Sequence, residues 1–411
     1  MGPITLFDKS FLQSLSIDES VWFDNFFLTN ISPLFFVETL ADLAKTTRSG
    51  RTPEKEVCII AQKTPEMNSS PNVFHVDLCI ANLQGQEIAM DGRIVLAGGV
   101  PLKTADKSGV LFKLSPEMEA LARWRDGDFR YVERNFAGIW RRSVENIDLR
   151  SIGIFLKSIG VAIVNFRSLE EARNAASAFI EQNSNQIGFL KLALLALNIP
   201  DPFIPSIFER WEHNGRPLFN RFAPYAFYVL TIVIFFHMAL ESTLISQQKA
   251  SNRIDLAYLF YLPFCMLFVS SDHFHRKCAP LFLRNNQEFI WGEDLKKDLG
   301  RINEYFDKLP DEDKQKGIYS IAVRPPTDED FLVAGIWDRF FPNWRKQALS
   351  FTPKKDSQLI QEIENFAKAT ASKESQVNQD FSNPDAMIIE KRVRKKKGSW
   401  WLVPKDLENK K

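Results

Sequence analysis

Residues 222–240, FAPYAFYVLTIVIFFHMAL, run for 19 positions without an Asp, Glu, Lys or Arg. A helix of that kind has two physical homes, the hydrocarbon of a bilayer or the middle of a large soluble core. The length is enough to span. Yet Thr231 and His237 interrupt the run, Arg221 and Glu241 flank it with no positive cluster on one side, and it stands alone in mid-chain. These features favour a buried core helix and a protein without a membrane partner; a membrane-attached protein remains the alternative.

A core helix of this size needs a large core around it, and the chain supplies the material. It has 411 residues, 45% hydrophobic and 25% charged, near globular averages and long enough for one elaborated domain or two ordinary ones. Its 35 Phe against 7 Tyr favour buried packing over a wet recognition surface. Lys plus Arg (52) nearly balance Asp plus Glu (51), which excludes a globally basic nucleic-acid binder but leaves room for a local patch. The four cysteines, Cys58, Cys79, Cys265 and Cys278, form no C-x-x-C pair, and Asp8, Lys9, Asp18 and Glu19 break any apolar leader. Free thiols and no leader point to the cytoplasm.

Two apolar runs end on an aspartate. ITLFDKS stops at Asp8 and FCMLFVSSD at Asp272. Both read as strands, and in an open α/β sheet ligands sit at the carboxyl ends of the strands. Between them the pattern predicts a helical stretch over 11–27, a further unit from Pro33, β-like segments at 57–61 and 73–83, and Gly-punctuated strands up to Pro101. Ser115-Pro116-Glu117 opens a helix with a break at Gly127. A strand at 161–166, the apolar helix, a helix stopped at Pro263 and a surface helix over 292–309 follow.

Four acids sit at element ends or in apolar surroundings: Asp8, Glu38, Asp255 and Asp272. Converging carboxylates repel unless protons or cations intervene, and an all-oxygen set suits Mg²⁺ or Mn²⁺. Such a metal supports attack of water on a phosphodiester. Each acid also has a structural reading, since Asp8 can cap the helix after it and Asp255 can open one.

The ordered set resembles the PIN-domain nucleases: Asp8 after strand one with Ser10 two positions on, Glu38 in FVETLADL, Asp255 opening a late helix, and Asp272 at the tip of the next strand in LFVSSD. The resemblance covers about 80 residues. It implies an α/β, three-layer core around a mostly parallel sheet, and an Mg²⁺- or Mn²⁺-dependent nuclease, RNA favoured over DNA. In that reading Asp8, Glu38, Asp255 and Asp272 bind the metal, with Ser10 and Ser271 supporting them. The domain would span 1–345 with a large mixed insertion at about 50–220. A polar helix or linker would occupy 346–385 and a basic, aromatic segment 386–411. A non-catalytic binding or scaffold protein of the same fold is the main alternative, and homo-oligomers stay open.

That last segment carries KRVRKKK followed by Trp400 and Trp401. Lys391, Arg392, Arg394, Lys395, Lys396 and Lys397 read as phosphate contacts and the two indoles as stacking surfaces, unless the segment is a docking strand. Arg276 reads as a further nucleic-acid contact at the rim of the acid site. His273, His275 and Cys278 lack paired zinc spacing, and no phosphate loop, dinucleotide fingerprint or serine-hydrolase elbow occurs.

Overall fold

In the computed structural model, which describes residues 2–44, 50–103, 108–145, 154, 165–182, 185–246, 252–346 and 386–406, the two aspartate-tipped runs are neighbours. The strands are β1 (Ile4–Phe7), β2 (Leu28–Ile31), β3 (Ser69–Pro71), β4 (Gly99–Lys103), β5 (Ser108–Phe112), β6 (Leu267–Ser270), β7 (Glu288–Trp291), β8 (Ala386–Ile389), β9 (Lys396–Lys397) and β10 (Trp400–Trp401). Five of them form a central, all-parallel sheet in the order β3-β2-β1-β6-β7. The chain winds outward from β1 to β3, then returns to the other side of β1 with β6 and β7. The reversal between β1 and β6 is the place where such sheets leave a crevice at the carboxyl ends of the strands.

Strand alternation decides the layers. Leu6 and Phe268 pair in register and face one core, together with the helices His75–Leu83, Leu169–Gln182, Gln186–Ala196 and Pro224–Glu241. Phe7 and Val269 face a second core with the helices Ile17–Phe26, Pro53–Lys63, Gly292–Asp307 and Leu332–Phe340. The protein is therefore an α/β fold of three layers, its sheet covered on both sides.

The uncharged run lies inside the first core. Val229, Leu230, Ile232 and Phe235 are fully buried, and Thr231 satisfies its hydroxyl on the Phe227 carbonyl. It is the one helix among the described residues long and apolar enough to cross a membrane, and most of it is buried within the fold. β1 and β6, which flank it in sequence, pair side by side, so the run does not separate two halves of the molecule.

Several expectations are corrected. Residues 57–61 lie in the helix Pro53–Lys63, and all of 73–83 but its first two residues forms the helix His75–Leu83. In the first, Thr52 caps the Lys55 N–H, Pro53 starts the helix, and Val57, Ile60 and Ala61 bury one face. β2 and β3 were hidden because they are short and carry Thr29, Asn30, Ser69 and Ser70. β3 also lies inside the 50–220 stretch read as insertion, so the central sheet draws one of its own strands from there. The Ser115 cap and the break at Gly127 are present: the helix Pro116–Arg125 ends before Gly127 at φ +79°, and Tyr131–Glu145 follows. β4, β5 and β8 make a separate small sheet, β9 and β10 a hairpin. Of the strand expected at 161–166, residues 161–164 lie outside the described residues, as does 347–385 of the polar linker.

A carboxylate cluster at the switch point of the sheet

The sheet register aligns more than its core residues. Leu6, Phe268 and Phe289 stand in a row across β1, β6 and β7, all against the first core. Two residues further along each strand, on the same face, the row continues as Asp8, Ser270 and Trp291, with Ser270 paired to Trp291. The chemistry collects around this second row.

Asp8 is 3% exposed. Its Oδ1 accepts the Phe11 N–H (2.9 Å), capping the helix Lys9–Ser14, and its Oδ2 accepts the hydroxyls of Ser10 and Ser270, both at 2.7 Å. His275, fully buried, reaches the same oxygen at 3.3 Å. The imidazole Nδ1 is 2.8 Å from Ser270 Oγ and Nε2 is 2.7 Å from the Asp255 carbonyl. A carbonyl only accepts, so Nε2 carries a proton. Where Ser270 gives its one hydrogen to Asp8, Nδ1 donates as well and the ring is an imidazolium; where Ser270 gives it to Nδ1, the ring is neutral. Burial pushes His275 down, but the Asp8 hydrogen bond and the charges of Asp8 and Asp255 outweigh it and raise the ring to about 9. For Asp8, burial pushes upward and is outweighed by His275, Ser10 and Phe11, leaving the carboxyl lowered.

The other acids converge from three helices. Glu38, on the helix Pro33–Ala41, accepts the Tyr258 hydroxyl, and burial raises its pKa against the pull of Lys9 and Tyr258. Lys9 donates to the Glu38 carbonyl (3.2 Å) and pairs with Asp42 (3.0 Å), one turn beyond Glu38. Asp272 caps the helix His273–Cys278 through the Phe274 N–H at 2.6 Å. Asp255 is half-buried on the helix Asn252–Tyr258, and no described residue donates a hydrogen bond to its carboxylate. Burial lifts it to about 7, helped by the charges of Glu38, Asp272 and Asp8 and opposed by His275.

The four acids expected from the sequence lie near enough for the charges of Asp8, Glu38 and Asp272 to act on Asp255. Ser10 braces Asp8 as expected, but Ser271 does not. The brace is Ser270, because strand alternation turns it to the face of Asp8. Ser271 Oγ turns the other way, buried without a partner, where a Cβ on Gly292 would approach to 2.2 Å. Sequence reading also passed over His275, Lys9 and Asp42. The neighbours of His275 do not fit a zinc site: His273 is exposed against Trp291, and the Cys278 thiol is pushed up to about 12 by burial.

The donors are oxygens with an excess of negative charge, which suits a hard divalent cation. Asp8 is committed to its four donors, so the residues with uncommitted carboxylate oxygens are Asp255, Asp272 and Glu38, and these would hold the ion. Among the described residues, no three His, Cys, Asp or Glu side chains already converge to metal-holding distance.

The basic segment at the C-terminus docks on the fold through Lys391, Arg394, Lys397 and Trp400, which takes these four out of the surface expected to contact nucleic acid. Lys397 is 1% exposed and donates to the carbonyls of Lys63 and Thr64. Arg394 binds Glu66 and the Gln62 carbonyl, and Lys391 donates to the Met67 carbonyl. Trp400 is buried against Trp22, ring centroids 4.7 Å apart, with its N–H on Asn303. Arg392, Lys395 and Lys396 are exposed, with Lys396 lying over the half-buried Trp401. The apolar and basic residues serve the core because the hairpin needs both indole burial and cations to balance Glu66.

Comparison with family models, with curated proteins and with solved structures gives no match.

Proposed function

We propose that this chain is a divalent-metal-dependent nuclease, hydrolysing phosphodiester bonds at the carboxylate cluster, as a cytoplasmic protein with free thiols. The observation that carries the reading is Asp255: a half-buried carboxylate with no hydrogen-bond donor among the described residues, held beside the charges of Asp8, Glu38 and Asp272. Like charges gathered in a low-dielectric crevice destabilise a fold unless a proton or cation joins them. Mg²⁺ or Mn²⁺ bound there supplies activation of water and stabilises charge developing on the phosphate. The chain's own residues prepare the place. Ser10, Ser270 and His275 fix Asp8, and His275 ties that group to the Asp255 helix through its carbonyl. Tyr258 orients Glu38.

The test is cleavage of single-stranded RNA and DNA in Mn²⁺, together with the melting temperature with and without the ion. Asp272→Asn and Asp255→Asn should reduce cleavage to background and abolish the thermal shift, since a ligand that binds only the folded state must stabilise it. Full activity in both variants overturns the assignment. One observation favours a second reading, a non-catalytic binding or scaffold protein: the buried imidazolium of His275 already balances part of the charge. In that case Mn²⁺ leaves the melting temperature of the parent protein unchanged.

A further inference from the structure

Resting on the reading just given, we propose that Arg276, backed by Trp291, is the arm that grips a backbone phosphate of the nucleic acid beside the carboxylate cluster. Trp291 ends β7 in the same row as Asp8 and Ser270. Across it lies the helix His273–Cys278, whose first residues follow Asp272. His273 packs on the indole with ring centroids 5.4 Å apart, and the Arg276 guanidinium sits 4.8 Å from the ring centroid.

Arg276 is one helical turn past Asp272, its N–H on the Asp272 carbonyl at 3.0 Å. An i,i+4 pair of opposite charge on a helix ordinarily meets. Here no described residue forms a hydrogen bond or ion pair with the guanidinium, which is exposed. The indole draws it away from the carboxylate by cation–π attraction and leaves all of its N–H donors open. Neighbouring arginines are used differently: Arg339 pairs with Glu288 at 2.7 Å, and Arg284 binds the Met90 carbonyl and Gln287. An arginine held over an indole, with none of its N–H groups paired to a described residue, can offer the fork that matches phosphate oxygens bidentately. Its place suits the substrate, since a strand entering a cluster of acids needs a cation nearby to offset repulsion. Trp291 acts through Arg276 and is a positioning residue.

The experiment measures binding of short fluorescein-labelled oligouridylate and oligothymidylate to the full chain by anisotropy, in EDTA and again in Ca²⁺, over a series of salt concentrations. Arg276→Ala should weaken binding about tenfold, the scale of a charge-assisted contact, and lower the log–log salt slope by about 0.7. Arg276→Lys should keep the slope while losing part of the affinity. Trp291→Ala should reproduce the Arg276→Ala loss, and Trp291→Phe should rescue it. Arg276 is exposed, so its variants decide the matter even where Trp291→Ala fails to fold. Unchanged affinity and slope in Arg276→Ala, or no binding by the parent protein in either condition, overturns the proposal. The two readings fail separately. A parent protein that never cleaves, yet loses affinity and slope on Arg276→Ala, removes the nuclease and keeps the arm; normal KM and binding in Arg276→Ala removes the arm and keeps the nuclease.

Discussion

At the switch point, Asp8, Glu38, Asp42, Asp255 and Asp272 face two cations, Lys9 and His275, whereas under the C-terminal hairpin Asp24 and Glu66 face Arg125, Arg394 and Lys397. Under the hairpin the charged groups have fixed protein partners. Asp24, 0% exposed, accepts the backbone N–H groups of Glu66, Met67 and Asn68, and Lys397 gives its protons to two carbonyls. Glu66 takes both arginines. At the switch point Asp255 is left over. Burial and charge are common to both regions, so neither marks a functional site by itself. The difference is an ionisable group that the fold brings in and does not pair.

The sharpest test of the contrast removes the hairpin's anchor. Trp400→Ala should cost about 3–5 kcal/mol, because it empties a closed site between Trp22, Asn303 and the cation of Lys314. Urea unfolding measures the loss. Any Mn²⁺-induced shift should survive, since the hairpin takes no part in the acid cluster. A loss under 1 kcal/mol would return the segment to the status of a surface tail.

Next comes the charge beneath it. Glu66→Gln should destabilise by about 3 kcal/mol, leaving Arg394, Arg125 and Lys397 buried with less counter-charge. Adding Lys397→Met should recover part of that, and a double-mutant cycle on unfolding free energies reads the coupling. Strict additivity would show that these groups do not act together.

The smallest effect has the opposite sign. Asp255 titrates in the fold near 7, above its usual 3.8, so folding favours its protonated form. The stability this contributes is complete below pH 3.8 and lost as pH rises to 7. At pH 8, without metal, Asp255→Asn should therefore be more stable than the parent, and at pH 4 the two should coincide. His275, raised to about 9 from 6.5, acts in the same direction: its contribution is full below 6.5 and disappears as pH passes 9. Metal binding needs the ionised carboxylate, so Mn²⁺ stabilisation should grow with pH through 7. Thermal melts across pH, with and without Mn²⁺, check both signs. An Asp255→Asn variant less stable than the parent at pH 8 would place Asp255 with the structural acids of the hairpin.

Asp8, Glu38, Asp255 and Asp272 were legible as a set because strand tips and helix starts are written in local patterns, an apolar run that stops or a capping residue before a periodic stretch. The uncharged run 222–240 likewise announced a buried helix. Ser270 in place of Ser271 was not legible, since a one-residue choice of face depends on the register of β6 against β1. Nor was the role of His275, whose partners Asp8 and Asp255 lie 267 and 20 residues away. The same holds for KRVRKKK, where the sequence states the charge and only the fold places Glu66 and the Lys63 and Thr64 carbonyls around it. The sequence alone determined which residues carry charge and where the two aspartate-tipped strands end, because those follow from neighbours along the chain. Which charges are paired and which is left over was decided by tertiary structure, because pairing depends on contacts between residues far apart in sequence, and no local pattern encodes them.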